Sequence, residues 1–182
     1  MRIMKKITGI SLLLLSVLLV TACSGNRDRT GNRETPAQQG PVNDFAGVLS
    51  GPEKEDLAAQ LTAYEKETCH QIVVVIVQDL AGETIADFST RTAQAWEIGQ
   101  EFLDNGILVT IAVQQGSARI EAGSGLEWIV KERIADTILS QVMFPHFRQG
   151  RLADGLRLGV TALMNEARQR TYPPDHRPSV CL

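Results

Sequence analysis

Residues 72–77 read Ile-Val-Val-Val-Ile-Val behind Gln71. An unbroken β-branched run offers no polar face to water, so it fits a strand buried on both sides, inside a sheet that helices cover on both faces. The rest of the chain has to supply that cover. Upstream, Ser50-Gly51-Pro52-Glu53 combines a capping box with an early proline. It predicts a helix from about Pro52 to Lys66, with Leu57, Leu61 and Tyr64 on the apolar side and Glu53, Lys54, Glu65 and Lys66 on the wet side. Downstream, Ile85, Phe88, Thr92 and Trp96 mark a second helix closed near Gly99. Ile107 to Val113 reads as a second apolar strand, Gln114 to Ser117 as a turn, and Ala118 to Ala122 as the hairpin partner. Ile129, Val130, Ile134, Ile138 and Val142 recur at helical spacing until Pro145, which is expected to stop that helix. Leu152, Leu156, Val160, Leu163 and Ala167 form a fourth. This is the grammar of an α/β domain, covering residues 41–170, in which helices pack on both faces of a mixed sheet; residues 171–182 are a proline-rich tail.

The N-terminus has a different character. Arg2, Lys5 and Lys6 precede an apolar run from Ile7 to Ala22, too short to span a bilayer comfortably, which is the anatomy of an export signal over residues 1–22. The run ends in Val20-Thr21-Ala22-Cys23. That tetrapeptide resembles the lipobox of bacterial lipoproteins and implies a lipid-modified Cys23 carrying palmitate-type acyl chains, whose buried methylenes contribute about 0.8 kcal/mol each. The membrane would then be a partner through the anchor. Ser24 rather than an aspartate follows, which by the lipoprotein sorting rule favours the periplasmic face of the outer membrane. Residues 23–40 contain no aliphatic or aromatic side chain larger than alanine apart from prolines, and read as a polar tether.

Charge narrows the partners. The chain carries 18 Lys plus Arg and 21 Asp plus Glu. Removing a signal that holds three of the bases leaves a net charge near −6, and residues 41–147 hold 6 basic against 16 acidic side chains. No nucleic-acid partner is expected, because phosphate binding requires a basic face. An acidic domain suits divalent cations or basic partners, and equally suits plain solubility.

Acids in separate loops are the candidate ligands: Asp44 in the opening loop, Asp79 after the first apolar strand, Asp104 and Asn105 before the second, and Glu127 after the hairpin. Calcium takes six to eight oxygens from carboxylates, carbonyls, amides and water, so such a set is chemically suitable. Each residue also has a structural reading: Asp104-Asn105-Gly106 is a good turn, Glu127 suits a helix first turn, and Asp44 suits a loop cap. No organic cofactor is expected: Gly123-x-Gly125 lacks the third glycine of a dinucleotide fingerprint, and a P-loop signature is absent from the sequence. Ser124 lacks the outer glycines of a nucleophile elbow. His70, His146 and His176 are scattered, with no zinc spacing to cysteine. With Cys23 lipidated, Cys69 and Cys181 either pair as a disulfide or remain two free thiols. Cys69 is expected at the end of its strand opposite to these candidate ligands.

Taken in order, Val42-Asn43-Asp44-Phe45-Ala46-Gly47-Val48-Leu49-Ser50, Tyr64-Glu65-Lys66-Glu67-Thr68, Gln71 to Val75, Trp96 to Gly99, Asp104-Asn105-Gly106-Ile107-Leu108, Arg119 to Glu127 and Phe147 to Gly150 resemble the TPM domain family. The resemblance covers about residues 41–165 and implies a three-layer α/β/α sandwich with a mixed central sheet. Members are exported or lumenal and membrane-tied; they include a thylakoid-lumen protein with acid phosphatase activity, photosystem II maintenance factors and a modulator of a membrane channel. Some bind calcium in an acidic crevice at the strand ends, which carries over to Asp44, Asp104 and Glu127, and more weakly to Asn105 and Asp79. This chain departs from the pattern at Ser124, where an aromatic is usual, and at Trp128 and Cys69, where glycine is usual. The expected function is a lipid-anchored, calcium-binding accessory or interaction module for a membrane or envelope protein. The alternative is a metal-dependent acid phosphatase, in which the ion polarises phosphoryl oxygen and Arg119 or Arg148 would have to supply the phosphate clamp.

Mass spectrometry of membrane-extracted protein is expected to show a chain beginning at an acylated Cys23, and thiol titration before reduction separates a Cys69–Cys181 disulfide, which leaves no free thiol, from two free cysteines. A chain that keeps Met1, or a Cys23→Ser variant equally held by membranes, would contradict the expected acylation. Free thiols at both Cys69 and Cys181 in denatured, unreduced protein would exclude the bridge.

Overall fold

A computed structural model of the chain describes residues 34–168. The export signal, Cys23, the first part of the tether, the tail and Cys181 lie outside the described residues.

The element order is β1 (Val42–Asp44), α1 (Gly51–Thr68), β2 (Gln71–Val77), α2 (Ile85–Ala95), β3 (Gly106–Ala112), β4 (Ser117–Ala122), α3 (Glu132–Thr137), a π-helical segment (Ile138–Met143), α4 (Phe144–Phe147) and α5 (Leu152–Arg168). Four strands form one sheet in the order β1-β2-β3-β4; the first three are parallel and β4 runs antiparallel to β3. The mixed three-layer α/β/α architecture implied by the sequence is the observed one.

The apolar run does what its composition requires. Ile72, Val74 and Ile76 enter the larger core with Leu57 and Leu61 of α1 and Leu156, Val160 and Leu163 of α5. Val73, Val75 and Val77 enter a smaller core against Phe88 of α2. Each face of β2 is dry, so one residue of register slip would exchange the two sets. α1 begins as read: Ser50 Oγ accepts from Glu53 N–H, and the Glu53 carboxylate accepts from the Ser50 hydroxyl at 2.6 Å and from Ser50 N–H at 2.8 Å, two bonds that hold the carboxyl below its ordinary value.

Three expectations are corrected. Val42–Asp44 is a strand rather than a loop, and only its parallel pairing with Val74–Ile76 reveals it. Pro145 does not stop the third helix. The preceding turn widens, so that Phe144 N–H bonds back to Leu139 O, five residues earlier, and the proline falls in the first turn of α4. A wider turn removes the proline's conflict with the i−4 carbonyl. The tether ends sooner than residue 40: Arg91 donates to Thr35 Oγ1, and Trp96 Nε1 donates to Pro36 O at 2.7 Å. Polar bonds, not apolar burial, fasten Thr35 and Pro36, so hydropathy alone is blind to this docking.

His70 sits in the core, 1% exposed, with its Nδ1 3.4 Å from Tyr64 Oη. Arg168 lies over the Tyr64 ring, 5.3 Å from its centroid. Burial pushes Tyr64 up to about 12 and pushes His70 below its ordinary value of 6.5. Because the folded state holds the His70 proton less tightly than the unfolded chain, its contribution is intact above the ordinary value and is lost progressively as pH falls below it, down to the folded value. The urea midpoint is therefore expected to drop as pH falls below the ordinary histidine value of 6.5, and to drop less in His70→Gln. Equal slopes in the two proteins would assign the acid sensitivity to another group.

Candidate functional site

In a sheet of this kind the carboxyl ends of β1, β2 and β3 define one edge and their amino ends the other. β4 is antiparallel, so its carboxyl end returns to the amino edge: Ala122 lies opposite Ile107 and Ser117 opposite Ala112. That reversal divides the predicted ligands. Asp44 and Asp79 stand at the carboxyl edge; Asp104, Asn105 and Glu127 stand at the amino edge. Seven residues of β2 at about 3.3 Å each separate the edges by roughly 20 Å, far beyond the span of one ion's coordination shell. The five residues do not fit a single calcium site. Among the described residues no group of three or more His, Cys, Asp or Glu side chains is placed to hold a metal.

The two carboxyl-edge acids have local work. Asp44 Oδ1 accepts from Ala46 N–H and Gly47 N–H at 3.1 and 2.9 Å, and Oδ2 accepts from Leu49 N–H at 2.8 Å, which closes the loop leading into α1. Asp79 accepts from the Gln115 amide of the β3–β4 turn.

At the amino edge, two loops are pressed together through their backbones. Gly123 N–H donates to Gly106 O at 2.8 Å, Gly125 N–H donates to Asp104 O at 3.1 Å, and Ser124 Oγ donates to Asp104 Oδ2 at 2.7 Å. A Cβ on Gly123 would stand 2.2 Å from Asp104 O, and one on Gly125 would stand 1.9 Å from Leu103 O. These glycines are required by close approach. The partner loop carries backbone strain: Phe102 and Asp104 both have left-handed φ, 71° and 44°. A bulky aromatic in that region is uncommon and clusters with functional loops. Phe102 is 92% exposed, and Trp128, 44% exposed, donates its Nε1 to Gly125 O at 2.9 Å.

Asn105 is the support beneath this surface, not part of it. It is 1% exposed; Nδ2 donates to Cys69 O at 2.5 Å and to Gln100 Oε1, and Oδ1 accepts from Gln100 N–H at 2.9 Å. Cys69 thus lies at the same edge as Asp104, not opposite to it as the sequence suggested. It caps α1 with a left-handed φ of 67°, a conformation in which glycine carries no Cβ penalty. Cys69 is disulfide-bonded, and its partner lies outside the described residues.

Beside Glu127 a groove of about 550 Å³ runs along β4, floored by Ala118 to Ala122 and walled by Lys131, Glu132 and Asp136 of the α3 region. Glu121, Glu132 and Asp136 were not singled out from the sequence; their spacing reads as an ordinary wet helix face, and only the fold gathers them. Phe102 was also missed, although an aromatic outside any helical or strand period was a usable signal. Arg119, one of two candidate phosphate clamps, donates to Glu121 at 2.5 Å, and Arg148 is exposed beyond α4.

A four-stranded mixed sheet covered on both faces, with paired glycine loops bound to an Asp-Asn-Gly turn at its amino edge, defines a recognisable class of small α/β/α domain. A family model for the TPM domain matches residues 42–166, and the chain belongs to that family. It is 31% identical to the N-terminal domain of a protein from P. gingivalis, over 70% of this chain and 82% of that one, with a TM-score of 0.66. The BA42 protein from the psychrophilic bacterium Bizionia argentinensis is 20% identical, covering 74% and 92%, with a TM-score of 0.62. The N-terminal domain of the cg2496 protein from Corynebacterium glutamicum is 17% identical, covering 75% and 86%, with a TM-score of 0.56. These last two show the shared fold. No curated protein matches the sequence.

Asn105→Ala would remove the buried amide that bonds Cys69 O and Gln100 and is expected to cost about 2–4 kcal/mol in chemical denaturation. Asp104→Asn keeps the acceptor for Ser124 and a residue type that tolerates left-handed backbone, and is expected to cost less than about 1 kcal/mol. A cost as large as that of Asn105→Ala would make Asp104 a structural residue.

Proposed function

We propose that the protein is a lipid-anchored accessory module of the cell envelope that docks on a membrane protein through the amino edge of its sheet. The exposure of Phe102 and Trp128, on the two paired loops that also carry Asp104, Ser124 and Glu127, carries this reading. Exposed aromatics with polar neighbours mark contact surfaces, and large apolar side chains left in water on strained or tightly held loops have a use other than stability. Membership of the TPM family supports it. Acylation of Cys23 would hold the module at the membrane, on the periplasmic face of the outer membrane by the sorting rule. A thiol consumed by acylation cannot form a disulfide, so the bond on Cys69 would then run to Cys181 and brace the underside of the docking edge.

A divalent cation, calcium by its preference for oxygen, would bind Asp104 and Glu127 with water completing its shell, and would order the two loops. So few protein ligands imply weak binding. Calcium at about 5 mM is expected to raise the melting temperature of the wild type and not of Asp104→Asn. Equal shifts in both would remove the ion from this edge.

Docking is tested by placing a photoreactive phenylalanine analogue at position 102, at 128, or at 79 on the opposite edge. Illumination of intact envelopes is expected to yield one discrete adduct with a membrane protein from 102 and 128 and none from 79. Adducts of equal yield from 79 would overturn the assignment. Hydrolysis of p-nitrophenyl phosphate by the metal-loaded protein, lost in Asp104→Asn, would replace this reading by the phosphatase alternative.

A further inference from the structure

The groove beside β4 is floored by the edge strand of the described sheet. The bond from Gly123 N–H to Gly106 O fixes the phase of the β3–β4 ladder. Hydrogen-bonded and non-bonded residue pairs alternate along an antiparallel pair, so Leu108–Glu121, Thr110–Arg119 and Ala112–Ser117 are the bonded ones. Ala118, Ile120 and Ala122 therefore direct their N–H and C=O groups away from β3, into the groove. No strand pairs with that edge among the described residues.

Proteins usually guard such an edge with a proline, a bulge, an inward charge or a covering helix. Here the outward-facing residues are two alanines and an isoleucine whose side chain is packed into the core, 7% exposed. The helices stand beside the edge rather than over it: Ile85 of α2 lines one side of the groove and Leu139 of the π-helical segment the other. Its charge is one-sided. Four carboxylates, Glu121, Glu127, Glu132 and Asp136, face two cations, Arg119 and Lys131. Arg119 is engaged with Glu121, which leaves three acids against one lysine.

We propose that this groove receives an extended, lysine- or arginine-rich segment of a partner protein, added to the sheet as a fifth strand along β4. The backbone groups of Ala118, Ile120 and Ala122 would supply the ladder, and Glu127, Glu132 and Asp136 the selection for positive charge. A second copy of the chain fits less well, because edge-to-edge pairing through β4 would bring two acidic grooves together. The inference rests on the interaction-module reading and adds the chemistry of the partner segment, but it uses the groove and not the aromatic pair.

The full-length chain is titrated into a fluorescein-labelled peptide of about eight alternating lysine and valine residues, a length matched to the strand. Its anisotropy is expected to rise to saturation. A peptide N-methylated on alternate backbone nitrogens should bind about tenfold more weakly, and a glutamate–valine peptide should not bind. Glu132→Lys with Asp136→Lys, both exposed positions, should weaken the lysine–valine peptide about tenfold. Ala118→Pro removes an outward N–H that the sheet does not use and should weaken it about fivefold. Should that variant unfold, the N-methylated peptide decides the same point. Equal binding of the methylated peptide would reduce the groove to a charged surface and overturn the proposal. So would failure of the lysine–valine peptide to bind, or concentration-dependent dimerisation that the peptide does not disrupt. Phe102→Ser should leave peptide binding unchanged, so a failed docking surface and a failed groove give different results.

Discussion

The backbone contact between the Gly123–Gly125 turn and the Asp104–Gly106 turn is the constraint on which the amino edge depends. It exists because β4 runs antiparallel to β3 and delivers its carboxyl end beside the amino end of its neighbour. The carbonyls of Leu103 and Asp104 occupy the space where side chains at 125 and 123 would begin, so the two loops share one backbone layer. Asn105 fastens that layer from below to Cys69 and Gln100. Movement of one loop must disturb the other, which makes Phe102, Asp104, Ser124, Glu127 and Trp128 parts of a single surface although they come from distant parts of the chain.

The departures from the family pattern are local to this surface and explain one another physically. Where an aromatic is usual between the glycines, Ser124 instead supplies a hydroxyl that bonds Asp104. The aromatic surface is provided by Trp128, whose indole N–H returns to Gly125 O and holds the ring against the same turn. Cys69 takes a left-handed cap that glycine would occupy without strain, and it lies in direct contact with the Asn105 support through its carbonyl.

The sequence was most informative where one physical term dominated. The Ile72–Val77 run could be nothing but a doubly covered strand, and its limits are the observed ones. The capping box located the start of α1 because side-chain and backbone bonds act within four residues. Where the deciding partner is remote, local patterns failed. Val42–Asp44 is too short to show a period and is a strand only because β2 lies beside it. Pro145 looked like a stop because the widened turn that accommodates it leaves no mark on hydrophobic spacing. Asp44 and Asp104 looked equivalent as loop acids; the carboxylate of one closes its own loop with three backbone bonds, whereas that of the other is exposed and accepts from Ser124. Their separation follows from the direction of β4, which a hairpin motif does imply. What was missed was the consequence, that a reversed strand carries its carboxyl-end loop to the opposite edge.

Charge and reach together limit where such an edge could work. Thr35 is already bonded to the domain, so eleven residues separate it from Cys23. Fully extended, a chain of that length spans at most about 36–40 Å. With Cys23 in a membrane, that length would set the upper limit on the distance of Thr35 from the lipid surface. The long negative stretch from residue 41 to 147 would be repelled by anionic headgroups, whereas the arginine-rich stretch from residue 148 onward would be drawn to them. Arg148, Arg151 and Arg157 are all exposed. The start of α5 shares a pocket with Ile111 to Val113 at the carboxyl end of β3, so an orientation with it toward the lipid would turn the amino edge, with Phe102 and Trp128, away from the membrane, where a neighbouring membrane protein could be met without competition from the bilayer.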